Sequence, residues 1–461
     1  MIGCSMRYDR APLRRLITAT LMVFLLTSGR EALADLFRPT TAGEARVAQA
    51  EASTRTPMGF PARERLVRLD PSVLARHLAP SGADLATGRA ERARQLDGIL
   101  RIRLFPDVAV TIRRTDVEAL ETGGIAWTGD AAGHAFSSAT LVITNQQITG
   151  LVQFEDRLFT IEPVSRLIHR IVEIDSARFP PEHPTQPPEP SSNKSGNLAP
   201  RQEDRQSEAT GTTRIRVLVA HTPAADAQSP NIINDINLAV ALSNQALKRG
   251  STNIKLVLTR AIRVNYNEGA DFNANLNALT KGREFARLRR TRDNTRSDLV
   301  VLLRTAGQYC GIGWYIENPS PASRDYGFSA TARACITNHT FAHEIGHNMG
   351  LKHDRYVHDV APNSVYNFGY VNLKARVRSI MAYTDECTAN GISCPKVNFF
   401  SSPAPCTADG RPYGCAVRTK IGVRKGRPGA ADAARRLSET GPGIGSYRDV
   451  ESAEAPIPMA D

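Results

Sequence analysis

Residues 343–354 read His-Glu-Ile-Gly-His-Asn-Met-Gly-Leu-Lys-His-Asp. His343 and His347 are four positions apart, so on a helix their imidazoles stand on one face and both can reach a single metal ion. Glu344 lies beside that face without being forced into ligation. His353, six residues beyond His347, is not on the same face of a continuous helix. The chain must therefore end its helix and turn back. Gly350 permits this, because glycine enters the left-handed conformation at no steric cost. Three neutral histidines leave the fourth position of a zinc ion open, the arrangement of catalytic rather than structural zinc. Glu344 would then serve as general base on an attacking water and pass the proton to a leaving amine. Two histidines around a glutamate also arise by chance on polar helix faces; the added glycine and third histidine make chance far rarer.

The N-terminus reads as an export signal. Arg7, Arg10, Arg14 and Arg15 precede an apolar run from Leu16 to Leu26, and Ala32-Leu33-Ala34 follows as a small-residue cleavage site. Residues 1–34 are thus expected to be a signal peptide, and the protein to be secreted, extracellular or periplasmic. An apolar run of eleven residues is short of the ~20 that span a bilayer, so no stable membrane insertion is expected. Of seven cysteines, Cys4 falls in the signal. The other six are Cys310, Cys335, Cys387, Cys394, Cys406 and Cys415, an even number that fits disulfides in an oxidising compartment. They contain no CxxC pair, which argues against a second zinc site. Pairing between sequence neighbours, Cys310 with Cys335, Cys387 with Cys394 and Cys406 with Cys415, is the simplest of the possible sets.

At 461 residues the chain suits two domains, and 41% hydrophobic with 23% charged residues excludes both a wholly disordered chain and a polytopic membrane protein. The net charge of +12 raises the question of nucleic acid, but the arginines are scattered and form no basic tract. No nucleic acid partner is expected; a surface suited to acidic substrates is the alternative. Residues 35–180 carry alternating stretches such as Val108-Ala109-Val110-Thr111-Ile112 and Ala139-Thr140-Leu141-Val142-Ile143, which predict half-buried strands and a mainly β domain. Residues 181–213 form a linker rich in proline and polar residues, extended and exposed, where proteases cut. The simplest organisation is a propeptide domain at 35–180 that inhibits the enzyme, an activation cleavage within the linker, a catalytic domain at 214–450 and a flexible tail at 451–461. Within 214–303, strands are expected at Arg214–Ala220, Ile254–Thr259 and Asp298–Leu303, with a helix at Asn231–Lys248.

The stretch from His343 to Asp354 resembles the extended HExxHxxGxxH motif of the metzincin clan, and Ser379-Ile380-Met381-Ala382-Tyr383 resembles its Met-turn. The resemblance implies an α/β (α+β) metzincin catalytic domain, a mixed twisted sheet with an active-site helix. It also implies one catalytic zinc ion on His343, His347 and His353, with Met381 as a hydrophobic floor and not a ligand. Asp354 is similar to the adamalysin, or reprolysin, branch. Tyr383 is similar instead to astacins and serralysins, where such a tyrosine approaches the metal or supports the oxyanion; a buried structural tyrosine is the other reading. From Arg214 to Tyr447, stretches such as Gly311-Ile312-Gly313-Trp314, Phe328–Arg333 and Asn398-Phe399-Phe400-Ser401 resemble the bacterial peptidyl-Asp metalloendopeptidase group.

That group implies a monomeric enzyme acting on polypeptides, and an edge strand near 327–334 that pairs with extended substrate. It also implies cleavage on the N-terminal side of Asp, then Glu, which requires a cation in the receiving pocket. Lys374, Arg376, Arg378 and Lys396 are the candidates, and the sequence singles out none. The N-terminal half has no cysteine after the signal, so latency by a cysteine switch is unavailable. Two other readings stay open: a zinc-binding adhesion or interaction module, against which Glu344 speaks, and a host-directed protease toxin with the same chemistry.

Overall fold

The structure, a computed structural model, describes residues 34–77, 98–182, 188–189, 211–358, 361–404, 407–408, 411–412 and 419–448. The expected signal segment up to residue 33, most of the linker, the Cys406–Cys415 pair and the tail lie outside these residues.

Alternating sequences in the N-terminal half form nine antiparallel strands. These are β1 (Phe37–Pro39), β2 (Pro61–Leu69), β3 (Ile99–Phe105), β4 (Val108–Ala119), β5 (Ile125–Ala131), β6 (Ser138–Thr144), β7 (Gln147–Phe154), β8 (Arg157–Pro163) and β9 (Ile168–Ile174). Their order is β1-β2-β9-β8-β7-β6-β5-β4-β3, and a bridge between Asp35 and Arg101 links the chain entering β1 to β3, so the sheet closes on itself. The expectation of half-buried strands fails for β6 to β9, which are buried on both faces. The reason lies in adjacent residue pairs. Leu141, Val152, Phe159 and Ile171 point into the sheet's own core, while their neighbours Val142, Leu151, Leu158 and Val172 join a second core with the C-terminal half. Both periods are apolar because both faces meet protein.

The second sheet contains β10 (Thr213–His221), β11 (Ile254–Arg263), β12 (Leu299–Arg304), β13 (Gly311–Gly313) and β14 (Phe328–Ala332), in the order β11-β10-β12-β14-β13. All pairs are parallel except β13 with β14, which makes the sheet mixed, as expected. The three expected strands and the helix are present. The helix runs Ile232–Arg249, with the Asn231 side chain accepting from the Asn234 N–H as its cap. The expected edge strand near 327–334 is corrected: β14 is paired on both sides, and the edge is β13. A three-residue Gly-Ile-Gly strand is too short to give a periodic signal. Disulfides Cys310–Cys335 and Cys387–Cys394 are present as expected. No helix among the described residues is long and apolar enough to cross a membrane.

The described residues from Ala34 onward cluster as one compact unit, and buried ion pairs join its two sheets. The guanidinium of Arg333, just after β14, meets Asp235 of the helix at 2.6 Å and Glu162 of β8 at 2.7 Å, and Arg170 of β9 reaches Glu162 at 3.1 Å. These four side chains are almost wholly shielded from water, so each charge depends on its partners. Burial pushes the Asp235 carboxyl up, and Arg333 opposes it. Arg333→Ala would leave the buried Asp235 carboxylate without an ion-pair partner among the described residues and Glu162 with Arg170 alone, and is expected to lower the stability of the full-length chain by about 3–5 kcal/mol. Arg435→Ala, which breaks a surface pair with Glu439, should change it by less than about 1 kcal/mol. Urea unfolding of the two variants is the check, and equal midpoints would show that the Arg333 cluster does not hold the halves together.

Candidate metal centre

The active-site helix, Thr340–Asn348, stops in the manner its sequence requires. Gly350 adopts φ +83°, its N–H donates to the His347 carbonyl at 3.0 Å, and the Leu351 N–H donates to the Gly346 carbonyl at 2.9 Å. This pair of bonds is a Schellman turn. It sends the chain back into β15 (Lys352–Asp354), which carries His353 to the other two histidines. All three are fully buried, and their Nε2 atoms converge: His343 to His347 is 3.1 Å, and His347 to His353 is 3.1 Å.

The Nδ1 of His343 faces the Ile380 carbonyl at 2.9 Å, and that of His347 faces the Leu351 carbonyl at 2.8 Å. A carbonyl only accepts, so each Nδ1 carries the proton and each Nε2 presents a lone pair. Lone pairs at that separation repel unless a cation lies among them. Ligands ~2.0–2.1 Å from a tetrahedral zinc stand roughly 3.3 Å apart, so the donor set fits zinc in spacing and in chemistry.

Glu344 follows His343 on the helix and is fully buried. A Cβ on Gly311 would come within 2.6 Å of its Oε1, and one on Gly313 within 2.7 Å of its carbonyl oxygen. The edge strand therefore lies directly on the glutamate, which is what the two glycines of β13 allow. Burial, and then the nearby charge of Glu182, holds the Glu344 carboxyl well above the usual range, with Lys396 opposing.

Met381 is fully buried beneath the helix, and a Cβ on Gly346 would come within 2.8 Å of its sulfur. Gly346 is thus a requirement of the site that the HExxHxxGxxH motif, whose glycine is Gly350, leaves unspecified. Asp354 accepts from the Tyr383 N–H at 2.7 Å and the Tyr356 N–H at 3.0 Å, tying the third-histidine loop to the exit of the Met-turn. Burial raises its carboxyl pKa, and these backbone donors oppose the rise. The Tyr383 ring lies 4.2 Å from that of His353, centroid to centroid, and burial pushes its hydroxyl pKa up.

Of the four candidate cations, the structure brings Lys396 and Arg378 to the cleft and leaves Lys374 and Arg376 exposed. The Arg378 guanidinium is held by the carbonyls of Ala382 at 2.7 Å and Cys394 at 3.1 Å. Lys396 is buried against Glu182, whose carboxylate lies within 4.8 Å of ligating atoms on His343 and Glu344. Glu182, Asn338 and Thr340 were not legible as site residues. Glu182 lies in the stretch expected to be an exposed linker, yet it is 7% exposed, because the cleft closes over it.

Residues 212–409 match the model of a family described as metallo-peptidase family M12B, reprolysin-like. The chain is 30% identical over 348 residues to a peptidyl-Asp metalloendopeptidase of Stenotrophomonas maltophilia, covering 70% of this chain and 80% of that one. It is 27% identical over 358 residues to one of Xanthomonas campestris pv. campestris, covering 74% and 79%. A buried histidine triad with a glutamate at its side, in a chain with these relatives, defines a zinc metalloendopeptidase. More narrowly, the chain belongs to the reprolysin-like M12B metallopeptidases, together with these bacterial enzymes. As a peptidase it acts on polypeptides. His347→Ala removes the central member of the triad, and is expected to lower zinc from about one ion per chain to near zero together with activity. Metal analysis of the purified variant is the check, and retained stoichiometric zinc would remove His347 from the ligand set.

Proposed function

We propose that the protein is a secreted endopeptidase made as a zymogen, in which His343, His347 and His353 hold one catalytic zinc ion and Glu344 is the general base. The observation that carries this reading is the convergence of the three Nε2 atoms beside a buried Glu344, directly against a sheet edge. When bound, zinc would polarise the scissile carbonyl and acidify a water. Glu344 takes the proton of that water on its carboxylate and delivers it to the leaving nitrogen as the bond breaks. The outer side of β13 offers backbone groups to an extended substrate, which orients it by strand addition. Tyr383, packed on His353, would donate a hydrogen bond to the developing oxyanion in this reading. Asp354, Gly350 and Met381 act by positioning the ligands.

The preference for Asp, then Glu, after the scissile bond is supported by the names of the relatives and by the two cations at the cleft. The domain reading follows: residues 1–34 direct export, 35–180 form a propeptide that inhibits the monomeric enzyme, and activation cuts within 190–213. Support for inhibition comes from Glu182, which stands in the cleft. Glu344 in its place speaks against a non-catalytic binding module.

Glu344→Gln keeps all three ligands and is expected to retain about one zinc per chain while losing roughly 10²–10⁴-fold in kcat. Zinc analysis beside a casein assay decides, and substantial residual activity would sink the assignment of Glu344. N-terminal sequencing of the secreted active form should find a start within 190–213. Cut sites mapped on a denatured protein should be followed mainly by Asp and then Glu; cuts followed mainly by Leu or Phe would leave only the general endopeptidase reading.

A further inference from the structure

A cavity of about 440 Å³ opens beside the metal centre, lined in part by Glu182, Asn338, Arg378, Tyr383 and Lys396. At its inner end Lys396 is 5% exposed, and among the described residues its one ion-pair partner is Glu182. The same carboxylate accepts from Asn338 Nδ2 at 2.9 Å and from Thr340 Oγ1 at 3.3 Å. Asn338 and Thr340 flank the start of the active-site helix, so three donors from two separate parts of the chain meet on one carboxylate. The chain carrying that carboxylate is fastened alongside the sheet edge. The Cys310 N–H, just before β13, donates to the Pro181 carbonyl at 2.9 Å, and the Tyr315 N–H, just after it, donates to the Pro188 carbonyl at 2.9 Å.

These are the contacts an extended substrate would make: backbone bonds along the edge strand and one acidic side chain directed into a pocket next to the general base. A buried lysine without a carboxylate is costly, so when the segment carrying Glu182 leaves, the pocket demands a replacement anion. Arg378 adds positive charge behind Lys396, but its guanidinium is occupied by two backbone carbonyls and cannot pair fork-to-fork with a ligand without releasing them.

We infer that Lys396, with Asn338 and Thr340, is the receptor for the carboxylate of the residue after the scissile bond, and that Glu182 fills it in the uncleaved chain as a built-in stand-in for that residue. The inference rests on the reading that the enzyme cuts before acidic residues. Lys396 is accordingly a specificity-determining residue, and acidic preference and latency share one pocket.

Two measurements on zinc-loaded protein test it. In the processed enzyme, kcat/KM is compared for two peptides that differ only in Asp or Asn after the scissile bond. Lys396→Met is made together with Glu182→Gln, so that no lone carboxylate is buried while the chain folds. The Asp-over-Asn ratio is expected to fall roughly 10- to 100-fold, and Lys396→Arg should keep Asp ahead of Asn. An unchanged ratio, or equal loss on both peptides, would overturn the assignment of Lys396. A wild type indifferent to Asp and Asn would sink the acidic-preference reading itself, and the second measurement still judges Glu182. There, initial rates of the intact full-length chain are taken before mass spectrometry detects any processing. Glu182→Gln should raise the rate on the Asn peptide about 10-fold or more over the intact wild type, whereas an unchanged rate would show that Glu182 does not plug the pocket.

Discussion

The imidazole lone pairs of His343 and His347 held 3.1 Å apart, with His353 Nε2 3.1 Å from His347, are an unfavourable arrangement in the absence of a cation, and much of the C-terminal half is organised to impose it. Two of the rings are aimed by backbone carbonyls, Ile380 for His343 and Leu351 for His347, so side-chain orientation is inherited from turns and not from neighbouring side chains. Both turns are in turn constrained. Leu351 sits in the Schellman turn that Gly350 makes possible, and Ile380 sits in the Met-turn, whose sulfur can approach the helix only because residue 346 is glycine. Asp354 closes the circuit by bonding the Tyr383 N–H on the far side of the Met-turn. A cation entering the triad relieves the repulsion, which couples metal binding to the stability of every element that aims a ligand.

The N-terminal sheet enters this circuit from outside. Gln153 of β7 donates to the carbonyl of Lys396 at 2.6 Å and lies 3.4 Å from the ring of His339, the left-handed residue at the N-terminus of the active-site helix. Burial, together with the charges of Lys396, Arg249 and Arg378, pushes the His339 pKa down to about 3, so its ring stays neutral at physiological pH. One strand of the first half thereby props both the pocket wall that carries Lys396 and the start of the helix that carries His343 and His347. The Arg333 cluster fastens the same halves a short distance away, where an arginine next to β14 reads carboxylates from both. Each buried carboxylate of the cluster has an arginine within 2.7 Å, the kind of pairing under which buried charge is tolerated.

Much of this was legible in the residues. The helix face of His343 and His347, the turn at Gly350 and the return of His353 follow from short-range geometry, because helical period and glycine's conformational freedom are local properties. Strands β10, β11 and β12 and the helix Ile232–Arg249 were legible for the same reason, and so were the disulfides Cys310–Cys335 and Cys387–Cys394, which join sequence neighbours. Reading went astray where a strand's environment came from elsewhere. The stretch that became β6 was expected to be wet on one face, and β14 was expected at the edge, since no local pattern says that a second sheet or a three-residue strand will cover them.

The sequence by itself determined a three-histidine cluster that could hold a metal ion, the glutamate beside it and the class of chemistry, because those depend on spacings of a few residues on one helix and one turn. Tertiary structure alone decided which cations reach the cleft and which carboxylate meets Lys396 there. Lys396 and Glu182 are 214 residues apart and meet only when two sheets have closed on one another. Lys374, Arg376, Arg378 and Lys396 are equivalent as letters in a basic chain; burial distinguishes them, and burial is a property of the whole fold.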